Sequence, residues 1–171
     1  MRSFSFSLRA IMLGAALITA SSAASAQMAV TASVNPAIAI SSPAGLAFGS
    51  VTKPSTTDVA FNGSNTGLIE VIGAASANVT VAFPLTVTFT GPGTAPVYSI
   101  LSSSVGTKTI ASGTCDRSAV TPVDVTGGAL SSNLGLGGIL CYAVGGRLVT
   151  TAGTSNGAFS GTLTITVTYG P

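Results

Sequence analysis

Histidine and tryptophan are absent, and only 6% of the 171 residues are charged, against roughly 25% in ordinary soluble domains. These shortages remove whole classes of chemistry. Without imidazole and with few carboxylates, general acid–base catalysis has almost no candidate groups, so an enzyme is not expected. Two thiols without a histidine do not complete a zinc shell, and no metal or other cofactor is expected. From Gln27 onward, Lys53, Lys108, Arg117 and Arg147 balance Asp58, Glu70, Asp116 and Asp124. No basic field is left for a phosphate backbone, so nucleic acid is not an expected partner. No apolar run reaches the roughly 18 residues that a membrane-spanning helix needs.

Residues 1–26 read as a cleaved secretory signal peptide. Arg2 and Arg9 form its basic start, Ala10 to Ala20 its short apolar run, and Ala24-Ser25-Ala26 a small-residue cleavage site. The address expected is export, to the periplasm, cell surface or extracellular space. Residues 27–171 have the length of one domain. In an exported chain the two cysteines, Cys115 and Cys141, are expected to form a disulfide.

The strongest pattern lies at the end of the chain. Phe159, Gly161, Leu163, Ile165, Val167 and Tyr169 alternate with Ser160, Thr162, Thr164, Thr166 and Thr168. A period of two without a break is the signature of a strand with one buried face. Such a strand is expected to close a sheet, with its hydroxyls toward solvent. The same alternation places Met28, Val30, Ala32 and Val34 on one face near the other end, and Val79 to Phe89 keeps odd parity until Pro84 interrupts it. Proline there predicts an edge, a bulge or a break into two strands.

Between these runs, Ser41 to Gly45 reads as a turn, Leu46 to Val51 and Val59 to Phe61 as short strands, and Asn62 to Gly67 as a hairpin connection. Leu68 to Ile72, Val97 to Leu101, Val123 to Val125 and Gly138 to Val144 complete the strand candidates, whereas Ser102 to Thr114 carries only a weak pattern. No segment beyond the signal holds a capped 3.6-residue period. The reading is all-β, a sandwich of short antiparallel strands.

Isolated motifs do not change it. Ser50-Val51-Thr52-Lys53 matches S-x-x-K, but nothing around it predicts the required helix start, and a turn with a solvated lysine explains it. Gly135, Gly137 and Gly138 form no dinucleotide fingerprint. Asp116 beside Arg117 reads as a surface ion pair.

Three pieces together carry a family resemblance: Leu46-Ala47-Phe48-Gly49-Ser50-Val51, Ile69 to Gly73 followed by Asn78 to Val81 as a central hairpin, and Gly145-Gly146 followed by the run from Gly157 to Tyr169. They resemble a secreted bacterial domain of unknown function, the one numbered forty-four-oh-two, which is similar to spore coat protein U and to chaperone–usher pilins. The resemblance implies an incomplete immunoglobulin-like, pilin-like sandwich completed by a strand from a neighbour, with Tyr169 as the terminal aromatic. The expected partners are copies of the chain or other envelope or pilus subunits, with a periplasmic chaperone and usher. The assembly strands expected are Met28 to Val34 and the closing run through Phe159, Leu163, Ile165, Val167 and Tyr169. Two features depart from the pilin pattern: the cysteines lie late, and the segment before Phe48 is short. The rival reading is a monomeric binding module, for carbohydrate for example, that uses loops at one end of the sandwich.

Overall fold

A computed structural model describes residues 34–170. All the regular structure in them is antiparallel strand. In chain order the strands are β1 (Ala39–Ala44), β2 (Ser55–Val59), β3 (Gly67–Ile72), β4 (Asn78–Ala82), β5 (Thr86–Val87), β6 (Phe89–Thr90), β7 (Val97–Ser99), β8 (Val105–Ile110), β9 (Thr121–Val123), β10 (Ala129–Asn133), β11 (Ile139–Val144), β12 (Gly146–Thr150), β13 (Ser160–Gly161) and β14 (Thr166–Tyr169).

One layer is a five-stranded sheet in the order β1-β3-β11-β8-β9. The other consists of β2-β12-β7-β5, β10-β4-β14 and the pair β13-β6. β4, β5 and β6 are successive pieces of one extended run, so these three ladders share a common strand path. The fold is an antiparallel β-sandwich. Its core is built by alternation: Ile69, Val71, Leu140, Tyr142 and Val144 from the first layer meet Val79, Val81, Phe83, Tyr98 and Leu148 from the second. Phe83 packs edge-to-face on Tyr142 at 5.2 Å between ring centres, a favoured aromatic geometry. Both buried phenols are satisfied. The Tyr98 hydroxyl donates to the Gly145 carbonyl at 2.8 Å, and Tyr142 shares a 2.7 Å bond with Ser132. Burial pushes both phenols above their ordinary range.

The chain changes layers at Gly145, between β11 and β12. A Cβ there would sit 1.9 Å from the Val59 carbonyl oxygen, so only glycine admits that close backbone approach. Gly145 is thus the switch from one sheet to the other.

Several expectations need correcting. Ser41 to Gly45 is not a free turn. Ser41 to Ala44 belongs to β1, with a register shift between Ser41 and Ala44, and Pro43 is tolerated because β1 is an edge strand. The stretch Asn62 to Gly67 is not a hairpin connection, because β2 pairs with β12 and β3 with β1 and β11. The same holds for the expected central hairpin of Ile69 to Gly73 with Asn78 to Val81, since β3 and β4 lie in different sheets. Pro84 does divide its run into shorter strands.

Candidate functional site

The two ends of the described residues meet along one flank. The closing run is two strands rather than one. β13 pairs with β6 and β14 with β4, and Thr162 to Ile165 lie between the two ladders. The parity nevertheless holds. Leu163, Ile165, Val167 and Tyr169 are half-buried against the core, and Thr162, Thr164, Thr166 and Thr168 are exposed. Phe159 is half-buried and Gly161 exposed. Tyr169 fastens the flank: its hydroxyl donates to the Pro36 carbonyl at 2.7 Å and accepts from the Ala74 amide at 2.9 Å. Gly73 leaves room for this ring, since a Cβ there would lie 2.7 Å from the hydroxyl.

Opposite the closing run lies the segment from Ile40 to Val51. β1 ends the five-stranded sheet, and β14 ends its own. Between Ile40–Val51 and the Ala158–Ile165 part of the closing run, ahead of β14, lies a groove of about 1090 Å³, with Gly67, Ile69, Tyr98, Val144 and Leu148 among its lining residues. Its apolar walls are Leu46, Phe48, Val51, Val87, Phe89, Leu163 and Ile165. All seven are half-buried and packed against the core, and none is fully buried. Phe48 lies edge-on to Tyr98 at 5.9 Å. Lys53 is the one charged residue of the lining, and its ammonium donates to the Thr154 carbonyl. The S-x-x-K match therefore provides no nucleophile pair: Ser50 is exposed in a loop.

Of the residues expected to carry assembly, Met28, Val30 and Ala32 lie outside the described residues. Val34 is the first described residue and is 92% exposed. The groove itself escapes a linear reading, because it joins chain segments more than a hundred positions apart. The one hint in sequence is the apolar alternation at both ends.

The opposite face of the five-stranded sheet is closed. Cys115 and Cys141 form a disulfide with Cα atoms 5.4 Å apart. It holds the 111–120 excursion against Leu68 and Ala143, with Phe61, Ile110 and Val120 around them. Glu70 Oε1 accepts the Cys115 amide at 3.1 Å. The Arg117 guanidinium donates twice to the Thr66 carbonyl, at 3.2 and 2.7 Å. The expected Asp116–Arg117 ion pair is thus replaced: Asp116 pairs with Lys108, because the excursion turns Arg117 back toward β3. That ammonium and the Ser118 hydroxyl and amide hold the Asp116 carboxyl well below the usual range. Asp58 is lowered by its paired hydrogen bonds from Arg147, both at 2.8 Å. Among the described residues no group of three metal-ligating side chains converges, and no helix is long and apolar enough to cross a membrane.

Compared with protein-family models, curated proteins and solved structures, the chain matches none of them.

Proposed function

We propose that this protein is an exported structural subunit, a pilin-like, immunoglobulin-like sandwich that associates by β-strand addition in the periplasm, at the cell surface or outside. The observation that carries this reading is the groove between Ile40–Val51 and the closing run. Seven apolar side chains stand there half-covered, with the edge strand β1 on one side and the stretch Thr162 to Ile165, which joins no ladder, on the other. Such an arrangement favours an extended segment that supplies alternate apolar side chains inward and main-chain hydrogen bonds to an edge. The run Met28, Val30, Ala32, Val34 has that alternation. In the described structure the chain enters at the Tyr169 end of the flank, through Pro36. A second copy is therefore the donor we favour, with other envelope subunits or a chaperone as further partners. Export is supported by the disulfide and by the basic, apolar and small-residue order of residues 1–26.

The test is direct. Cells are fractionated and the extracellular material is run on a denaturing gel with and without boiling. A ladder that collapses on boiling is expected; a monomer band in both lanes overturns the assembly reading. Val30→Asp is expected to abolish the ladder and leave a folded monomer with an unchanged melting temperature. A monomer of lowered stability would instead make Val30 part of its own subunit's core.

A further inference from the structure

Exposed apolar side chains gather at the end of the sandwich where Pro36 is fastened. β10 and β11 are joined there by the tight turn Gly135–Gly138, in which the Gly138 amide donates to the Gly135 carbonyl at 3.2 Å. The turn is bonded to the segment after β3: the Gly73 amide donates to the Gly138 carbonyl at 2.9 Å and the Ser76 amide to the Gly135 carbonyl at 2.6 Å. A Cβ on Gly137 would meet the Ile110 carbonyl oxygen at 2.3 Å, so the turn also lies close against the end of β8. Leu136 is the one residue of the turn with a side chain, and it stands 87% exposed. Ala74, in the segment that holds the turn, donates to the Tyr169 hydroxyl that in turn donates to Pro36. Ile72, just before Gly73, is 42% exposed, and Val34, two residues before Pro36, is largely exposed as well. The segments that meet at this end, 34–39, 72–77, 110–114 and 134–139, contain no charged residue. An uncharged end with a leucine held outward by a bonded turn is suited to contact with another protein surface.

We propose that this end, with Leu136 at its centre, packs against the body of a second copy of the chain. The inference rests on the strand-addition reading and adds what the tether demands. If Met28 to Val34 fills a neighbour's groove, Val34 sits in the neighbour while Pro36 stays on its own subunit through Tyr169. Asn35 alone lies between them. Two residues of extended chain span at most about 7 Å, so the neighbour's body comes within that distance of Pro36. No flexible spacer separates the copies, and the side chains that stand out around Pro36 meet the neighbour. Leu136 and Ile72 are those side chains. The contact is heterologous, because the end of one copy meets the groove side of the next, and its repetition builds an array rather than a two-fold dimer.

The experiment measures, by size exclusion, how fast the high-mass species of the mature chain dissociate in moderate urea, for the parent, Leu136→Asp and Leu136→Met. Leu136→Asp should dissociate roughly tenfold faster or more, the factor that one buried leucine accounts for. Leu136→Met keeps an apolar side chain of similar volume and should stay within about threefold of the parent. Monomer isolated from the parent and from Leu136→Asp should melt at the same temperature, because the side chain is exposed in the single subunit. High-mass species that dissociate equally fast in the parent and in Leu136→Asp overturn this contact and leave strand addition standing. A parent with no high-mass species overturns both. A lowered melting temperature of the Leu136→Asp monomer would put Leu136 under its own chain, and that too overturns the contact.

Discussion

The two flanks of this sandwich are built on opposite terms. On the disulfide flank, β11 is buried on both faces. Leu140, Tyr142 and Val144 enter the main core, and Cys141 and Ala143 lie under the 111–120 excursion. The polar groups there are consumed locally, by Glu70 on the Cys115 amide, Arg117 on Thr66 and Lys108 on Asp116. On the open flank the apolar side chains are half-covered and the threonines of the closing run face solvent. One flank holds the subunit together; the other is available to something else. In the proposed assembly, stability and association are separated in space, and a substitution on one flank should leave the property carried by the other untouched.

The largest effect is expected from removing the disulfide. Cys115→Ser with Cys141→Ser should lower stability by about 3 kcal/mol in the chain-entropy estimate for a loop of this size, as measured by urea unfolding. Leu163→Ser, on the open flank, should cost the isolated subunit less than about 1 kcal/mol because the side chain is only partly buried. The same change should abolish high-mass species. Equal destabilisation by both would break the comparison.

A smaller effect sharpens it. Tyr169→Phe removes the donor to Pro36 and the acceptor for Ala74, and should cost about 1–2 kcal/mol, since the Ala74 amide is left without its partner. Ile165→Asp should cost a similar amount, about 1–2 kcal/mol, and Thr164→Asp under about 0.5 kcal/mol, because alternate residues face opposite ways. Thermal melting of the two aspartate variants tests the parity directly: equal losses would mean that both faces of the closing run are covered.

The sandwich class was legible because period-two alternation is local, and the closing run and the Val79 to Phe89 run carry it over many residues. The disulfide was legible from two isolated cysteines in a chain whose first 26 residues read as an export signal. β8 and β10 were not. Val105-Gly106-Thr107-Lys108-Thr109-Ile110 and Ala129-Leu130-Ser131-Ser132-Asn133 have too few apolar residues to show a period, and their strand character comes from pairing with β11 and β4. Chain neighbours also mislead where hydrogen-bonded neighbours decide. Asp116 and Arg117 are adjacent in sequence but serve different partners. Hairpins were expected at Asn62 to Gly67 and between Ile69 to Gly73 and Asn78 to Val81, yet the chain crosses between layers at both places, as it does at Gly145. Crossovers and the groove depend on which distant edges meet, and no local pattern records that.

The smallest expected effect concerns acid. Asp58, Asp116 and Asp124 are all held below the ordinary carboxylate value of 3.8, by Arg147, by Lys108 with Ser118, and by Thr126. A carboxyl that is more acidic in the folded state than in the unfolded one contributes stability above the unfolded value. That contribution is lost as pH falls through the folded value. Stability should therefore be flat from neutral pH to about pH 5 and decline only below about pH 4. Because all three groups are at the surface, water and salt screen the interactions, and the decline should shrink further as salt is added. Asp116 sits on the disulfide flank, Asp58 pairs β2 with β12 through Arg147, and Asp124 follows β9. The closing run holds no carboxyl at all. Strand-linked assembly, if it uses that run and Met28 to Val34, should consequently keep its heat-dissociable ladder unchanged between pH 4 and pH 7, at low and high salt. A ladder that dissolves at pH 4 or in high salt would place an ion pair between subunits and remove the distinction between a closed flank that carries carboxylates and an open one whose closing run carries none.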